Sequence, residues 1–168
     1  HVYMTNAGRI VFGVYPGSVQ TVTSPMSYND GEWHHVVATL GSEGMKLYLD
    51  GELVASKASV TSAQVFSGYW RIGGANLSGW TSQPSSYYLE GSLQDVAIYP
   101  TALSAEEVRT HHTVGLGLTP PNATFEAYGT DLDVSLDASA SQAAEGHEIT
   151  GWVWDFGDGW TAEGSATT

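Results

Sequence analysis

The stretch MKLYLDGELVAS, Met45 to Ser56, decides the fold class. Two apolar-rich runs flank the dipeptide Asp50-Gly51, which supplies the positive φ required at both central positions of a type I′ turn. The spacing therefore predicts a tight β-hairpin. Successive side chains of a strand point to opposite faces, so Met45, Leu47 and Leu49 share one face and Lys46, Tyr48 and Asp50 take the other. One face of this sheet is expected to be core.

The same signals recur on both sides. VYMTNAGRIVFGVY, Val2 to Tyr15, places two apolar runs around Asn6-Ala7-Gly8 and reads as a second hairpin. EWHHVVATL (Glu32 to Leu40), GYWRIGGAN (Gly68 to Asn76) and YLEGSLQDVAIY (Tyr88 to Tyr99) continue the strand pattern, with Trp33 and Trp70 assigned to the core. The one helical signal is LSAEEVRTHH, where Ser104 and Glu107 have the spacing of a capping box and His111-His112 closes the helix. Many strands, tight turns and one short helix imply an all-β antiparallel sandwich.

The chain of 168 residues carries 18 acidic and five basic side chains, a net charge of −13, which disfavours nucleic acid and anionic membranes as partners. It has no cysteine, so neither disulfides nor thiolate zinc sites are available. No apolar run approaches the ~20 residues of a membrane-spanning helix. Charge is uneven: residues 1 to 113 hold nine acids and all five bases, whereas residues 114 to 168 hold nine acids and no base. Two modules are therefore expected, 1–113 and 122–168, joined by a short linker over 114–121 that runs through GLGLTPPN, Gly115 to Asn122.

YNDGEWHHVVATL, MKLYLDGELV, YWRIGG and LEGSLQDVAIYPTALSAEEV, in that order and spacing, resemble the laminin-G-like, concanavalin-type jelly-roll modules of secreted bacterial proteins. The resemblance implies a jelly-roll sandwich over 1–113 that is N-terminally incomplete, because such modules carry further strands ahead of the one at which this sequence opens. A module without them is expected to expose ladder edges and apolar surface, and to be unstable alone or to pair with another chain. TPPNATFEAYGTDLDVSLDASASQAAEGHEITGWVWDFGDGW resembles the front half of a PKD-type domain, an immunoglobulin-like sandwich whose pattern includes W-D-F-G-D-G, matched by Trp154 to Gly159. By that resemblance Trp154 is a core tryptophan and Asp155 to Gly159 the turn after it, in a module also incomplete at its C-terminal end. Other readings of the motif fail on spacing. Asp155 and Asp158 lack the alternation of an EF-hand loop, and no kinase apparatus surrounds the D-F-G. In LDVSLDASAS, Asp133 and Asp137 are either solvated acids or calcium ligands.

Catalysis is not indicated. Glu90 and Asp95 are an odd number of residues apart, so on a regular strand they point to opposite faces instead of forming a glycosidase pair. His34-His35 and His111-His112 have no serine elbow or cysteine partner, and in a strand one of His34 and His35 is expected inside and the other outside. A binding surface is offered instead by GGANLSGWTSQPSSYYLEG, Gly73 to Gly91, too long for a mere connection. Sugar rings present apolar C–H faces ringed by hydroxyls, so a site needs an aromatic platform with polar partners. Trp80 and Tyr87 supply the first, Asn76 and Gln83 the second; in the competing reading Trp80 folds back as a lid on the sandwich. The laminin-G resemblance also implies a structural calcium at Asp95, which needs further oxygens from carbonyls or other segments; alternatively Asp95 bonds a loop amide.

The resulting expectation is a non-catalytic carbohydrate-binding or adhesion module of a secreted or cell-surface multidomain protein, with the PKD-type part as spacer. Its partner is a glycan or polysaccharide, or else another protein surface. The alternative is an accessory region of a polysaccharide hydrolase whose catalytic domain lies elsewhere.

Overall fold

The computed structural model describes residues 1–130 and 133–167; the side chains of residues 130, 133 and 167 also lie outside the description. The chain divides into two compact units, His1–His112 and Thr113–Thr168. Among the described residues it is all-β apart from one short helix.

In the first unit, β1 (Val2–Met4), β2 (Ile10–Val14) and β3 (Gln20–Thr23) form one antiparallel sheet in chain order. β4 (Val36–Gly41), β5 (Gly44–Leu49) and β6 (Glu52–Lys57) form another. The turn between β5 and β6 has Asp50 at φ 53° and Gly51 at φ 83°, the left-handed pair that the Asp-Gly dipeptide provides. Between β1 and β2, Gly8 at φ 74° lets Thr5 and Arg9 close a backbone bond of 2.8 Å.

The two sheets pack face to face. Ile10, Phe12 and Val22 of the first meet Met45, Leu47 and Leu49 of the second, with Val60 at the margin. Each of these side chains contributes roughly 1.5–3 kcal/mol by leaving water. Strand β2 is buried on both faces, since Val11, which alternates with Ile10 and Phe12, is fully covered as well. Tyr48, expected on the open face of β5, is also buried, so this sheet is covered on both sides at its centre. Helix α1 (Ala105–Gly115) lies near that side: a Cβ on Gly51 would come within 3.0 Å of the His112 ring, and Arg109 approaches Glu52 at 4.0 Å. The helix opens on the expected capping box, with Glu107 accepting from Ser104 N–H at 2.7 Å and Ser104 Oγ accepting from Glu107 N–H at 3.2 Å. It extends to Gly115, into the stretch expected to be linker, and ends where the amides of Gly117 and Leu118 turn back to the carbonyls of Val114 and Thr113.

Three expectations are corrected. The run Glu32 to Leu40 becomes strand only from Val36, so Trp33 stands outside the sandwich with 66% of its surface exposed. Gly68 to Asn76 and Tyr88 to Tyr99 form no strand; their only ladder contact among the described residues is the bridge between Gly74 and Tyr88. Trp70 is accordingly 79% exposed, as are Tyr69, Ile72, Val96 and Ile98 to comparable extents, instead of belonging to the core. An alternating pattern marks a segment suited to a sheet, but a strand forms only where a neighbour accepts its amide and carbonyl groups along its length, and these two meet each other only around that bridge.

In the second unit, β7 (Glu126–Thr130), β8 (Asp133–Asp137) and β11 (Ala166–Thr167) make a three-stranded sheet, while β9 (Val153–Asp155) and β10 (Thr161–Glu163) form a hairpin. Trp152 and Trp154 are half-buried and Val153 between them exposed, the period expected of a strand with one covered face. Trp154 meets the Phe125 ring edge-on at 5.7 Å and donates its indole N–H to the Gly164 carbonyl at 2.8 Å.

Candidate functional site

The loop from Gly73 to Gly91 is stapled onto the outer face of the first sheet. Its ends are drawn together by Ala75 N–H to the Tyr87 carbonyl at 3.1 Å and Leu89 N–H to the Gly73 carbonyl at 2.8 Å, so it has the closed neck of an Ω-loop. Leu77 is buried against Tyr3 and Val11, and Trp80 and Tyr87 pack against that cluster half-buried. Trp80 fits because β2 has a glycine beneath it: a Cβ on Gly13 would lie 2.5 Å from the indole ring. The His1 ring meets Trp80 edge-on at 4.4 Å.

Polar bonds fix the remainder of the loop. The Tyr3 hydroxyl donates to the Thr81 carbonyl, and Thr21 and Thr81 hydroxyls are 3.3 Å apart. Asn6 Oδ1 accepts from both the amide and the hydroxyl of Ser85, at 3.0 and 3.1 Å. Gln83 Oε1 accepts from Gly79 N–H and its amide nitrogen donates to the Tyr87 hydroxyl, each at 3.2 Å. Asn76 Oδ1 accepts from Ser78 N–H at 2.9 Å.

Of the four residues expected to bind, Gln83 and Tyr87 are thus in direct contact, Trp80 joins Tyr87 through the Leu77 cluster, and Asn76 occupies a turn at the start of the loop. Asn76 and Gln83 are exposed. Beside Gln83 a shallow hollow of about 360 Å³ opens between this loop and the β1–β2 turn, lined by Thr5, Asn6, Arg9, Thr23, Ser82 and Gln83. Sequence reading missed this hollow, since its two walls are nearly eighty residues apart in the chain.

Asp95 has φ 52° and its carboxylate accepts from the Gln94 side-chain amide at 3.2 Å. Among the described residues no group of three or more histidine or acidic side chains gathers as a metal site. Asp95 is thus a single carboxylate, and calcium there would have to draw the rest of its roughly six to eight oxygens from carbonyls or other segments. Glu90 and Asp95 lie in an irregular exposed segment, where the argument from strand alternation does not apply. Asp137 accepts from Ser139 N–H at 2.8 Å, while the side chain of Asp133 lies outside the described residues. In the W-D-F-G-D-G motif, Asp155 accepts from Gly157 N–H and Asp158 from Trp160 N–H, each at 2.9 Å, so both carboxylates shape the turn between β9 and β10.

His34 and His35 belong to two separate arrangements. His34 lies between two carboxylates, Nδ1 at 2.8 Å from Asp50 and Nε2 at 3.0 Å from Asp30, with the Tyr28 ring edge-on at 4.9 Å. Partial burial works to lower its pKa, but the hydrogen bonds and charges of Asp30 and Asp50 outweigh that, and the net shift is upward. His35 stacks on His112 at 5.8 Å; burial first, and then the charges of His112 and His111, lower its pKa. Both rings are half-buried, in place of the one-in, one-out pair expected of a strand, because β4 begins after them.

An antiparallel sandwich of hairpins, carrying a stapled aromatic loop on one outer face, defines the class of module. The chain belongs to the concanavalin A-like lectin/glucanase superfamily, whose family model matches residues 1–109. That superfamily contains both lectins and glucanases. Among solved structures, the chain is similar to an S-layer domain-containing protein (residues 221–444) from Clostridium thermocellum, with 30% identity over 62% of this chain and a TM-score of 0.42. The chain spans about half the length of that solved structure, 52%. No curated protein gives a significant match.

Proposed function

We propose that the chain is a non-catalytic carbohydrate-binding module of a secreted or cell-surface multidomain protein, in which the second unit is a PKD-type spacer. The observation that carries this reading is the stapled loop. Trp80 and Tyr87 are held in fixed positions against the sheet, with the amides of Gln83 and Asn76 at the exposed rim. A sugar then meets aromatic surface and hydrogen-bonding groups whose ordering cost was met on folding. The spacer reading rests on the W-D-F-G-D-G hairpin, whose acids are engaged in a turn and whose tryptophan packs on Phe125.

A second reading, adhesion to another protein, is favoured by the apolar side chains of Val65, Tyr69 and Trp70, which are 98%, 95% and 79% exposed. An array of polysaccharides and oligosaccharides, probed with the native chain and with Trp80→Ala and Gln83→Ala variants, separates the two. The carbohydrate reading expects binding that both substitutions weaken while circular dichroism stays native. Silence of a folded protein across the array contradicts it and leaves protein adhesion.

A further inference from the structure

The hollow beside Gln83 carries a cation. In a chain of net charge −13, its lining includes no carboxylate and does include Arg9, one of only five basic residues. Lys46 pairs with Glu43, Arg109 with Glu52, and Lys57 bonds Gln20, whereas among the described residues Arg9 and Arg71 have no ion pair, and of these two only Arg9 lines the hollow. The backbone beneath it is fixed: Arg9 N–H donates to the Thr5 hydroxyl at 3.2 Å, and Thr5 N–H to the Arg9 carbonyl at 2.8 Å.

The opposite wall is tied to this one. Asn6, in the β1–β2 turn, spends its carbonyl oxygen on Ser85 of the loop, so its amide nitrogen is the group left to donate. Ser82 sits at φ 50°, a left-handed conformation that costs a non-glycine residue energy and is held by the bonds around it. Ser82, Thr23 and Ala7 also line it. The hollow thus combines a largely apolar floor with hydrogen-bonding side chains and one cation without an ion pair, in a volume of about 360 Å³ that suits one or two sugar rings.

We infer that this hollow is a subsite for an acidic sugar, in which the Arg9 guanidinium takes the carboxylate of a uronic acid residue. The inference rests on the carbohydrate reading of the same loop and adds the class of saccharide. A planar guanidinium matches a carboxylate with two parallel N–H···O bonds, which a neutral hydroxymethyl group cannot reproduce. The field of the remaining acids repels a uronate at a distance, so the affinity must come from this local contact and not from general attraction.

The test is calorimetric titration of the native chain with uronic acid oligomers and with neutral oligomers of the same linkage, repeated with Arg9→Gln and Arg9→Lys. The inference expects the uronate to bind about tenfold more tightly than the neutral sugar. It expects Arg9→Gln to abolish that preference, Arg9→Lys to restore part of it, and added salt to weaken only the uronate. Arg9 is exposed, so the variants are expected to melt as the native chain does. Equal binding of both sugars, insensitive to Arg9→Gln, overturns the inference while leaving the carbohydrate reading intact. Absence of binding by every saccharide overturns both.

Discussion

The carboxylate of Asp50, in the left-handed first position of the β5–β6 turn, lies 2.8 Å from the Nδ1 atom of His34. Its other oxygen accepts from His35 N–H at 2.9 Å, and its own N–H donates to the His35 carbonyl at 2.9 Å. One aspartate thus fixes both the hairpin turn and the histidine pair ahead of β4. A neutral imidazole has one N–H and one lone pair, so only the protonated ring satisfies Asp30 and Asp50 at once.

That geometry sets the pH dependence of stability. His34 has a folded pKa raised above the unfolded value of 6.5, so its contribution is complete below 6.5 and is lost as pH rises through the folded value. His35 has a folded pKa lowered from 6.5, so its contribution is lost as pH falls below 6.5. The melting temperature of the first unit is therefore expected to peak near pH 6.5. His34→Gln should flatten the alkaline limb and His35→Gln the acid limb, read by thermal melts across pH.

Asp50 is also constrained by its backbone. Asp50→Ala places a residue poorly suited to positive φ in the turn and removes the two contacts of the carboxylate, to His34 Nδ1 and His35 N–H, for an expected loss of about 2 kcal/mol. Asn tolerates the left-handed region and keeps the bond to His35 N–H, so Asp50→Asn should cost about 1 kcal/mol or less. Urea unfolding at pH 6 distinguishes the two; equal losses would mean that the charge on Asp50, and not its turn geometry, carries the effect.

The seat of Trp80 depends on the absence of a side chain at Gly13. Gly13→Ala puts a methyl group 2.5 Å from the indole, and the end of the tryptophan must yield because the β2 backbone is paired on both sides. A red-shifted tryptophan emission, a loss of about 1–3 kcal/mol, and weakened saccharide binding are expected together. Gly115→Ala, where nothing stands within 4 Å, should leave all three unchanged.

Calcium is expected to do little at the described acids. Asp155 and Asp158 are committed to their own turn, and Asp95 offers one carboxylate already bonded to Gln94. Melting curves in calcium and in EDTA are expected to superimpose; a rise of several degrees with calcium would require ligands that the described residues do not assemble around Asp95.

Turn chemistry made the hairpins legible. Asp50-Gly51, Asn6-Ala7-Gly8 and the Ser104–Glu107 box are local signals, and each produced the element it implies. What failed was long-range. The alternation around Trp70 and Ile98 signalled strands, but whether a strand forms depends on a neighbour that the segment itself does not encode. Tyr48 looked outward because period alone cannot tell that a sheet is covered on both faces. Trp80 and Tyr87 stood out as aromatics in a long polar loop. The contacts that position that loop, from Asn6 to Ser85 and from Tyr3 to Thr81, join residues 79 and 78 positions apart and leave no mark on either local stretch.

The central claim is that sugar is bound at the stapled loop. Amide chemical-shift mapping of the isotope-labelled chain, titrated with a saccharide found to bind on the array, tests it most directly. The account predicts shifts concentrated between Asn76 and Tyr87 and around Arg9 in the β1–β2 turn, with the β9–β10 hairpin unmoved. Shifts confined to the exposed apolar segment around Val65 to Ile72, or to the second unit, would contradict it.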